Sequence, residues 1–411
     1  MSKGAVLIVG GGIGGLTLAL SLHEAGIACR VYEAAPETRP LGVGINLLPH
    51  AMREFSELGL QDRLGAVAVE TQEVCFYDRF GNFIYREPRG KFAGYDWPQL
   101  SIHRGELHKV LVDALRERLG TDSLVPGKKC TAFTQEINGV RVDFSDGTSA
   151  SGAAAIGCDG IHSAVRMQLH PREGPPAYQG IKMWRGVTRG QPFLSGASLV
   201  IAGWLEAGKM VAYPIRNFSD GTQLINWVAE IQSSRNVQQD WNLAGKLEDF
   251  YPVFAERTHG WLDIAAMIRN ADSILEYPMV DRDPLPRWTH GRVTLLGDAA
   301  HPMYPRGSNG GGQAILDARA LAGCLKREAT IEAALKAYEA ARLKPAYEVV
   351  IANRSIGPDA ILRTVHERTG DRPFGRVEDV IGQDELTALA ENYKRIAGFE
   401  RDALRRRPSL I

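Results

Sequence analysis

The sequence predicts an α/β fold: a Rossmann-like dinucleotide-binding domain, an interleaved antiparallel β-sheet domain and a C-terminal helical segment. Three observations carry that expectation. A strand, a glycine-rich turn and a helix open the chain. Two more short apolar strands, ending near Ile156 and Leu296, also run into glycine-bearing turns and then helices. Between them, from about 179 to 270, the pattern changes to short β-branched and aromatic runs separated by turn residues. At 411 residues the chain supports two domains, since single cores rarely grow past about 250–300 residues.

The opening run Ala5-Val6-Leu7-Ile8-Val9 is continuously apolar, as in strands buried in parallel sheets. Gly10-Gly11-Gly12-Ile13-Gly14-Gly15 follows and contains GxGxxG. Leu16 to Ala25 reads as a helix stopped by Gly26, and Cys29-Arg30-Val31-Tyr32-Glu33 as a second strand. Glu33 falls about 20 residues after Gly12, the spacing at which a carboxylate reaches a ribose hydroxyl. Glycine at 10 and 12 lets backbone N–H groups approach a pyrophosphate, whose charge the helix N-terminus stabilises. The acid favours FAD or NAD over NADP and does not choose between those two.

Glycines recur in Leu41-Gly42-Val43-Gly44-Ile45-Asn46-Leu47-Leu48-Pro49, which reads either as backbone passing close to a flat ligand or as a glycine-kinked strand and loop. A helix over 51–60 and a hairpin over 73–86 come next. Ser101-Ile102-His103-Arg104 then opens a helix that runs to about Leu119. After an alternating strand at 140–144, Ala153-Ala154-Ala155-Ile156-Gly157-Cys158-Asp159-Gly160 is a buried strand ending in a turn. Strands are expected at 183–188, 198–201, 210–215 and 224–229, and helix from Trp241 to Asn270. The strand 292–296 leads into Gly297-Asp298-Ala299-Ala300-His301-Pro302-Met303-Tyr304-Pro305, with an amphipathic helix from about Gln313. The tail from about Pro345 reads as helical and charged, with no chemistry assigned to it.

Composition narrows the function. The 48 basic and 48 acidic residues cancel, so no global field draws the chain to nucleic acid or an acidic membrane. Five scattered cysteines without CxxC spacing imply neither a disulfide framework nor a zinc site, and a reducing cytoplasm fits them. The apolar stretch 5–22 holds five glycines and reads as strand, turn and helix rather than a signal peptide. No catalytic metal is expected, because no histidine has HExxH or Cys/His spacing. Glycine is the exception to an ordinary composition: 44 residues, about 11% against a usual ~7%, concentrated where backbone would meet a cofactor.

The three turns together resemble the single-component flavoprotein aromatic hydroxylases. The match rests on GxGxxG with Glu33, on Cys158-Asp159-Gly160 with Arg166, and on Gly297-Asp298-Ala299-Ala300-His301 with Pro305. Their phenazine-carboxylate and salicylate branch is the nearest in look. One departure is Gly307-Ser308-Asn309-Gly310-Gly311-Gly312, where many members have a Gly-Gln-Gly-type run. The resemblance implies FAD as cofactor and NADH or NADPH as co-substrate, O₂ adding at flavin C4a, and the hydroperoxide giving oxygen to an aromatic or heteroaromatic ring. It assigns FAD contacts to Gly10, Gly12, Ile13, Gly14, Gly15, Glu33, Val43, Gly44, Arg104, Asp159, Asp298, Gly310 and Gly311, with Cys130 near adenine.

For the substrate pocket the candidates are Trp184, Arg185, Val211, Tyr213, Trp227, Met303 and Pro305. Arg185 and Arg306 are the candidates for a substrate carboxylate, and His301 is expected to bond loop backbone. Expected boundaries are 1–72, 97–178 and 271–345 for the FAD-binding domain, 73–96 and 179–270 for the sheet domain, and 346–411 for the tail. A monomer or homodimer acting on a small aromatic molecule is expected, with no nucleic-acid or membrane partner. Two alternatives remain open at this point: an FAD-dependent reductase or dehydrogenase of the same fold that uses no O₂, and a non-catalytic flavin-stabilised interaction module.

Overall fold

The computed structural model describes residues 4–37, 42–233, 243–355 and 357–411; Leu41 and Trp241 lie outside these residues. Five parallel strands stand in the spatial order Val293–Leu295, Ala154–Gly157, Val6–Val9, Cys29–Tyr32 and Leu124–Val125. From the central strand Val6–Val9 the chain moves one way to Cys29–Tyr32 and later returns on the other side at Ala154–Gly157. Such a reversal opens a crevice beyond the carboxyl ends of the strands. The helices Ile13–Glu24 and Gly310–Arg327 pack against each other. The second is buried continuously from Gly312 to Leu325, so it is a core helix rather than the amphipathic one expected from Gln313, and it starts three residues earlier.

The second large sheet has eight strands in the order Leu243–Ala244, Ile274–Asp281, Ala177–Gly190, Gln223–Gln232, Lys209–Asn217, Ser198–Ala202, Glu73–Tyr77 and Phe83–Pro88. All its pairings are antiparallel except Ser198–Ala202 with Glu73–Tyr77. Ile274–Asp281 thus belongs to this sheet, although the expected boundary at 271 places it with the parallel one.

The expected helix up to Asn270 is also corrected among the described residues. Single turns at Leu247–Asp249 and Tyr251–Val253, a hairpin of Thr258–His259 with Leu262–Asp263, and a six-residue helix Ile264–Arg269 take its place. Pro252 has no N–H to give and disfavours a continuous helix through this stretch. Phe250 and Phe254 instead insert into the layer beneath the sheet, where Phe250 stacks on Trp184 at 4.8 Å.

A three-stranded sheet of Gly44–Leu47, Leu100–His103 and Ala68–Glu70 bridges the two halves. The tail folds back over both. Ile361, Leu362 and Val365 of the helix Ala360–Thr369 pack on the large sheet with Val187 and Ile215. Further on, Phe399 accepts a hydrogen bond from Tyr95 at 2.7 Å and Arg407 pairs with Glu54. No helix among the described residues is long and apolar enough to cross a membrane.

Candidate functional site

The three glycine-bearing turns follow three adjacent parallel strands, Val6–Val9, Ala154–Gly157 and Val293–Leu295, at their shared carboxyl ends. Within the first turn the glycines have different causes. A β-carbon on Gly15 would sit 2.0 Å from the Gly10 carbonyl oxygen, so the fold itself requires that glycine, while one on Gly14 would press the Leu296 side chain at 2.8 Å. Gly12 meets nothing within 4 Å; no protein contact explains its bareness. It also heads the helix Ile13–Glu24, whose N-terminus has no side-chain cap and no acid in its first turn. Free N–H donors at a positive helix end beside open space suit an anion. Glu33 lies half-buried at the rim, accepting from the amides of Gly11 at 2.7 Å and Ala35 at 2.8 Å. His108, which no sequence pattern singled out, contacts the Gly11 carbonyl at 2.7 Å through Nε2.

One guanidinium joins the second turn to the third. Arg166 is buried, donates to the carbonyls of Ala299 at 3.0 Å and Ala300 at 2.8 Å, and forms a two-pronged pair with Glu173. Asp159 accepts from the Ser163 hydroxyl at 2.5 Å and the Ala164 amide at 2.7 Å, so its carboxylate shapes the loop and holds Ser163, which caps the helix Ala164–Leu169 by accepting from the Arg166 amide. Burial raises its pKa, against those hydrogen bonds. Behind the third turn, Asp317 accepts from His301 at 2.5 Å, Arg342 at 2.7 Å and the Gly297 amide at 3.1 Å. Burial pushes the Asp317 pKa up, but the charges of His301 and Arg342 prevail and hold it at about 2. His301 therefore bonds a side chain, not the loop backbone the sequence suggested.

Arg104 and Asp298 face each other across the crevice. Both side chains are open to solvent, yet Arg104 is ringed by protein, as on the wall of a deep cleft. That enclosure lowers its pKa, opposed by Asp298 and reinforced by Arg185. The Arg104 amide donates to the Val43 carbonyl at 2.9 Å, which brings the 43–44 backbone to the cleft. At Gly44 a β-carbon would lie 2.8 Å from both Asn226 and Ile215, so close packing on the large sheet accounts for that glycine. Gly310 has Asp298 Oδ1 3.9 Å from its β position, and Gly311 abuts Ile45. Met303 packs on Val349 and Val350, while Pro305 is exposed. Cys130 is buried at the start of the strand Cys130–Glu136. Burial, with Asp159 adding to it, pushes its thiol pKa up to about 12, which leaves a neutral, apolar wall.

The pocket candidates divide by sheet face. Side chains alternate along a strand, and register aligns Arg185 with Val228 and Tyr213 with Asn226 on the cleft side. Trp184 and Trp227 point the other way, into the layer of Phe250 and Met267. They are corrected from pocket wall to the core behind it. Arg185 donates to the Gly44 carbonyl at 2.9 Å and lies 6.0 Å over the Tyr277 ring; among the described residues no carboxylate pairs with it. Tyr213 is buried with Arg185, Asn226 and Asn46 facing its hydroxyl, and Val211 shares its apolar cluster. Burial raises the Tyr213 pKa despite Arg185, so the phenol stays protonated. Arg306 is already engaged, donating to the Asn353 carbonyl at 3.2 Å with Asp359 3.5 Å away; the substrate role considered for it is not supported by this position.

The open cradle at Gly12, two uncapped helix N-termini and the cleft-lining Arg104 and Asp298 fit a long dinucleotide anion such as FAD. Residues 3–353 match the profile of the FAD binding domain family. The chain belongs to the FAD-binding aromatic hydroxylases. Among this hydroxylase's relatives, the phenazine 1,6-dicarboxylic acid hydroxylase PhzS of Lysobacter antibioticus is 44% identical over 403 residues, 95% of this chain and 96% of its own. The 3-amino-4-hydroxybenzoate 2-monooxygenase of Streptomyces cremeus is 32% identical over 403 residues, 96% of each chain. The structure of Klebsiella pneumoniae HpxO complexed with FAD and uric acid superposes with a TM-score of 0.74 at 26% identity, covering 97% of this chain and 96% of that one. The hydroxylase is thus an NAD(P)H-dependent flavoprotein monooxygenase, and these relatives favour that reading over the oxygen-independent reductase.

Proposed function

We propose that this monooxygenase hydroxylates a carboxylated aromatic or heteroaromatic ring of the phenazine-carboxylate kind, with Arg185 taking the carboxylate. The observation that carries the reading is Arg185 itself: a guanidinium on the cleft face, beside two aromatic rings, that forms no ion pair with a carboxylate among the described residues. A carboxylate on the substrate supplies the missing counter-charge through charge-assisted hydrogen bonds. The names of the Lysobacter and Streptomyces relatives each specify an aromatic acid, which supports the same class.

FAD, when bound, supplies hydride acceptance from NAD(P)H and activation of O₂. The protein's own residues bind and shield. The amides of the first turn and Arg104 hold the pyrophosphate side, Glu33 the adenosine ribose, Asp298 the ribityl chain, and the Gly310 and Gly311 amides the pyrimidine edge. Val43 and Gly44 line the cleft beside it, and Cys130 sits toward adenine. Met183, Tyr277 and Tyr304 form one buried apolar cluster between the large sheet and the third turn, which keeps water from the reacting ring. The protonated Tyr213 hydroxyl donates a hydrogen bond to a ring substituent and so fixes which carbon faces the flavin. The same reading places the enzyme in the cytoplasm as a monomer or homodimer.

The test is O₂ uptake by purified enzyme with NADH or NADPH and a panel of aromatic acids, with hydrogen peroxide measured in parallel. Aromatic acids should stimulate uptake and acquire oxygen, while the matching amides should not. Equal stimulation by acids and amides would remove the carboxylate from the reading.

A further inference from the structure

The helix Gln383–Ile396 lies far along the chain from every cofactor fingerprint, yet Tyr393 ends beside the start of the helix Gly310–Arg327. Its ring is buried, and its hydroxyl accepts from Asn309 Nδ2 at 3.0 Å. The phenol's single proton goes to Asn353 Oδ1 at 2.9 Å or to the Arg306 carbonyl at 3.3 Å. The fit is close: a β-carbon on Gly307 would lie 2.2 Å from the Tyr393 oxygen. Gln313 Nε2 donates to the Ala397 carbonyl at 3.2 Å, a second tie between tail and helix.

Asn309 occupies the N-cap position of that helix, where an asparagine side chain ordinarily accepts from the first-turn amides. Here it makes no such bond, and its backbone is helical at φ −100°, ψ −20° instead of extended. Its Nδ2 is spent on Tyr393 and the Gly307 carbonyl, and its buried Oδ1 makes no hydrogen bond of good geometry, the buried His50 ring being the polar neighbour of this side chain. An asparagine that leaves its own helix uncapped while burying a poorly bonded oxygen is held there against its preference.

We propose that Tyr393 is a positioning residue that keeps Asn309 from capping the helix Gly310–Arg327, so that the first-turn amides stay free for the negative edge of the flavin. This rests on the FAD-binding reading above. Without the hydroxyl, Asn309 turns onto the amides and competes with the cofactor.

The test measures FAD affinity of the apoprotein by flavin fluorescence, the reduction potential of bound FAD, and the melting temperature of the apoprotein. Tyr393→Phe should weaken FAD binding about five- to tenfold, the scale of one hydrogen bond, and shift the potential to a more negative value. Adding Asn309→Ala should restore both, because alanine cannot cap. With Tyr393 intact, Asn309→Ser, a strong cap, should weaken FAD where Asn309→Ala does not; both variants lose the same bond to Tyr393, so the difference between them reads the cap alone. Equal affinities and potentials for the Ser and Ala variants, or a Tyr393→Phe protein changed only in melting temperature, would overturn the proposal. A wild-type apoprotein that takes up no FAD would overturn it together with the cofactor reading it stands on.

Discussion

Trp184 and Arg185 are consecutive in sequence and lie on opposite faces of the same strand, the indole stacked on Phe250 in the core and the guanidinium bonded to Gly44 in the cleft. Substitutions one residue apart should therefore separate stability from substrate binding. Arg185→Gln removes a charged hydrogen-bond donor worth about 1.5–3 kcal/mol, so kcat/KM for an aromatic acid should fall roughly 10–100-fold with little change in melting temperature. Trp184→Phe should lower the melting temperature and leave KM for the acid unchanged. Steady-state kinetics and thermal melts on the two variants check both halves.

Two glycines of the first turn should also respond differently. Gly12→Ala puts a methyl into open space at φ −75°, a conformation alanine accepts, so apoprotein stability should stay within about 0.5 kcal/mol while FAD affinity drops. Gly15→Ala forces a methyl onto the Gly10 carbonyl and should prevent folding. Apoprotein melts and FAD titration distinguish a ligand-facing glycine from a packing one.

Arg166 ties the second and third turns together from a fully buried position. Lysine cannot span Glu173, Ala299 and Ala300 at once. Removing one member of a buried pair costs about 3–5 kcal/mol, so Arg166→Lys, which keeps the charge but loses the fork, should lower the unfolding free energy by up to that amount, read from urea denaturation. Flavin release is expected before global unfolding, which parallel flavin and tryptophan fluorescence would show.

His50 should make stability depend on pH on the acid side of neutrality. It is fully buried; burial, then the positive Arg407 and Arg342, lower its pKa to about 3. Unfolded, it titrates near its ordinary value of about 6.5. Between those values the unfolded chain binds a proton that the folded one refuses, so stability falls as pH drops from about 6.5 toward 3, by at most about 1.4 kcal/mol per pH unit. Denaturation at pH 6.5, 5.5 and 4.5 should show a slope that His50→Gln reduces; an unchanged slope would assign it to other groups.

The sequence by itself determined the parts of this protein that depend on local patterns. Glycine spacing, the Glu33 offset and three strand–turn–helix units required only near neighbours, and they were sufficient for the fold class, the cofactor and the family. The alternation of 183–188 and 210–215 was legible as well. Which face of the sheet met the cleft was not, because a period of two defines two faces, and only packing distinguishes them: Phe250 and Phe254 cover one, while the helix Ala360–Thr369 covers part of the other and leaves Arg185 at the cleft. The strand Ile274–Asp281 was not read from the sequence, and its place in the large sheet comes from partners, Ala177–Gly190 and Leu243–Ala244, that are remote or barely patterned.

Tertiary structure alone decided the contacts between distant fingerprints. Arg166 reaches carbonyls more than a hundred residues away, and Tyr393 meets Asn309 across 84 residues. It also separated glycines that look alike in sequence, since Gly12 faces open space and Gly15 faces its own turn. Hydrophobic periodicity fixes which residues are buried; which buried groups touch is fixed by chain closure over long distances, and a single sequence holds no local record of that.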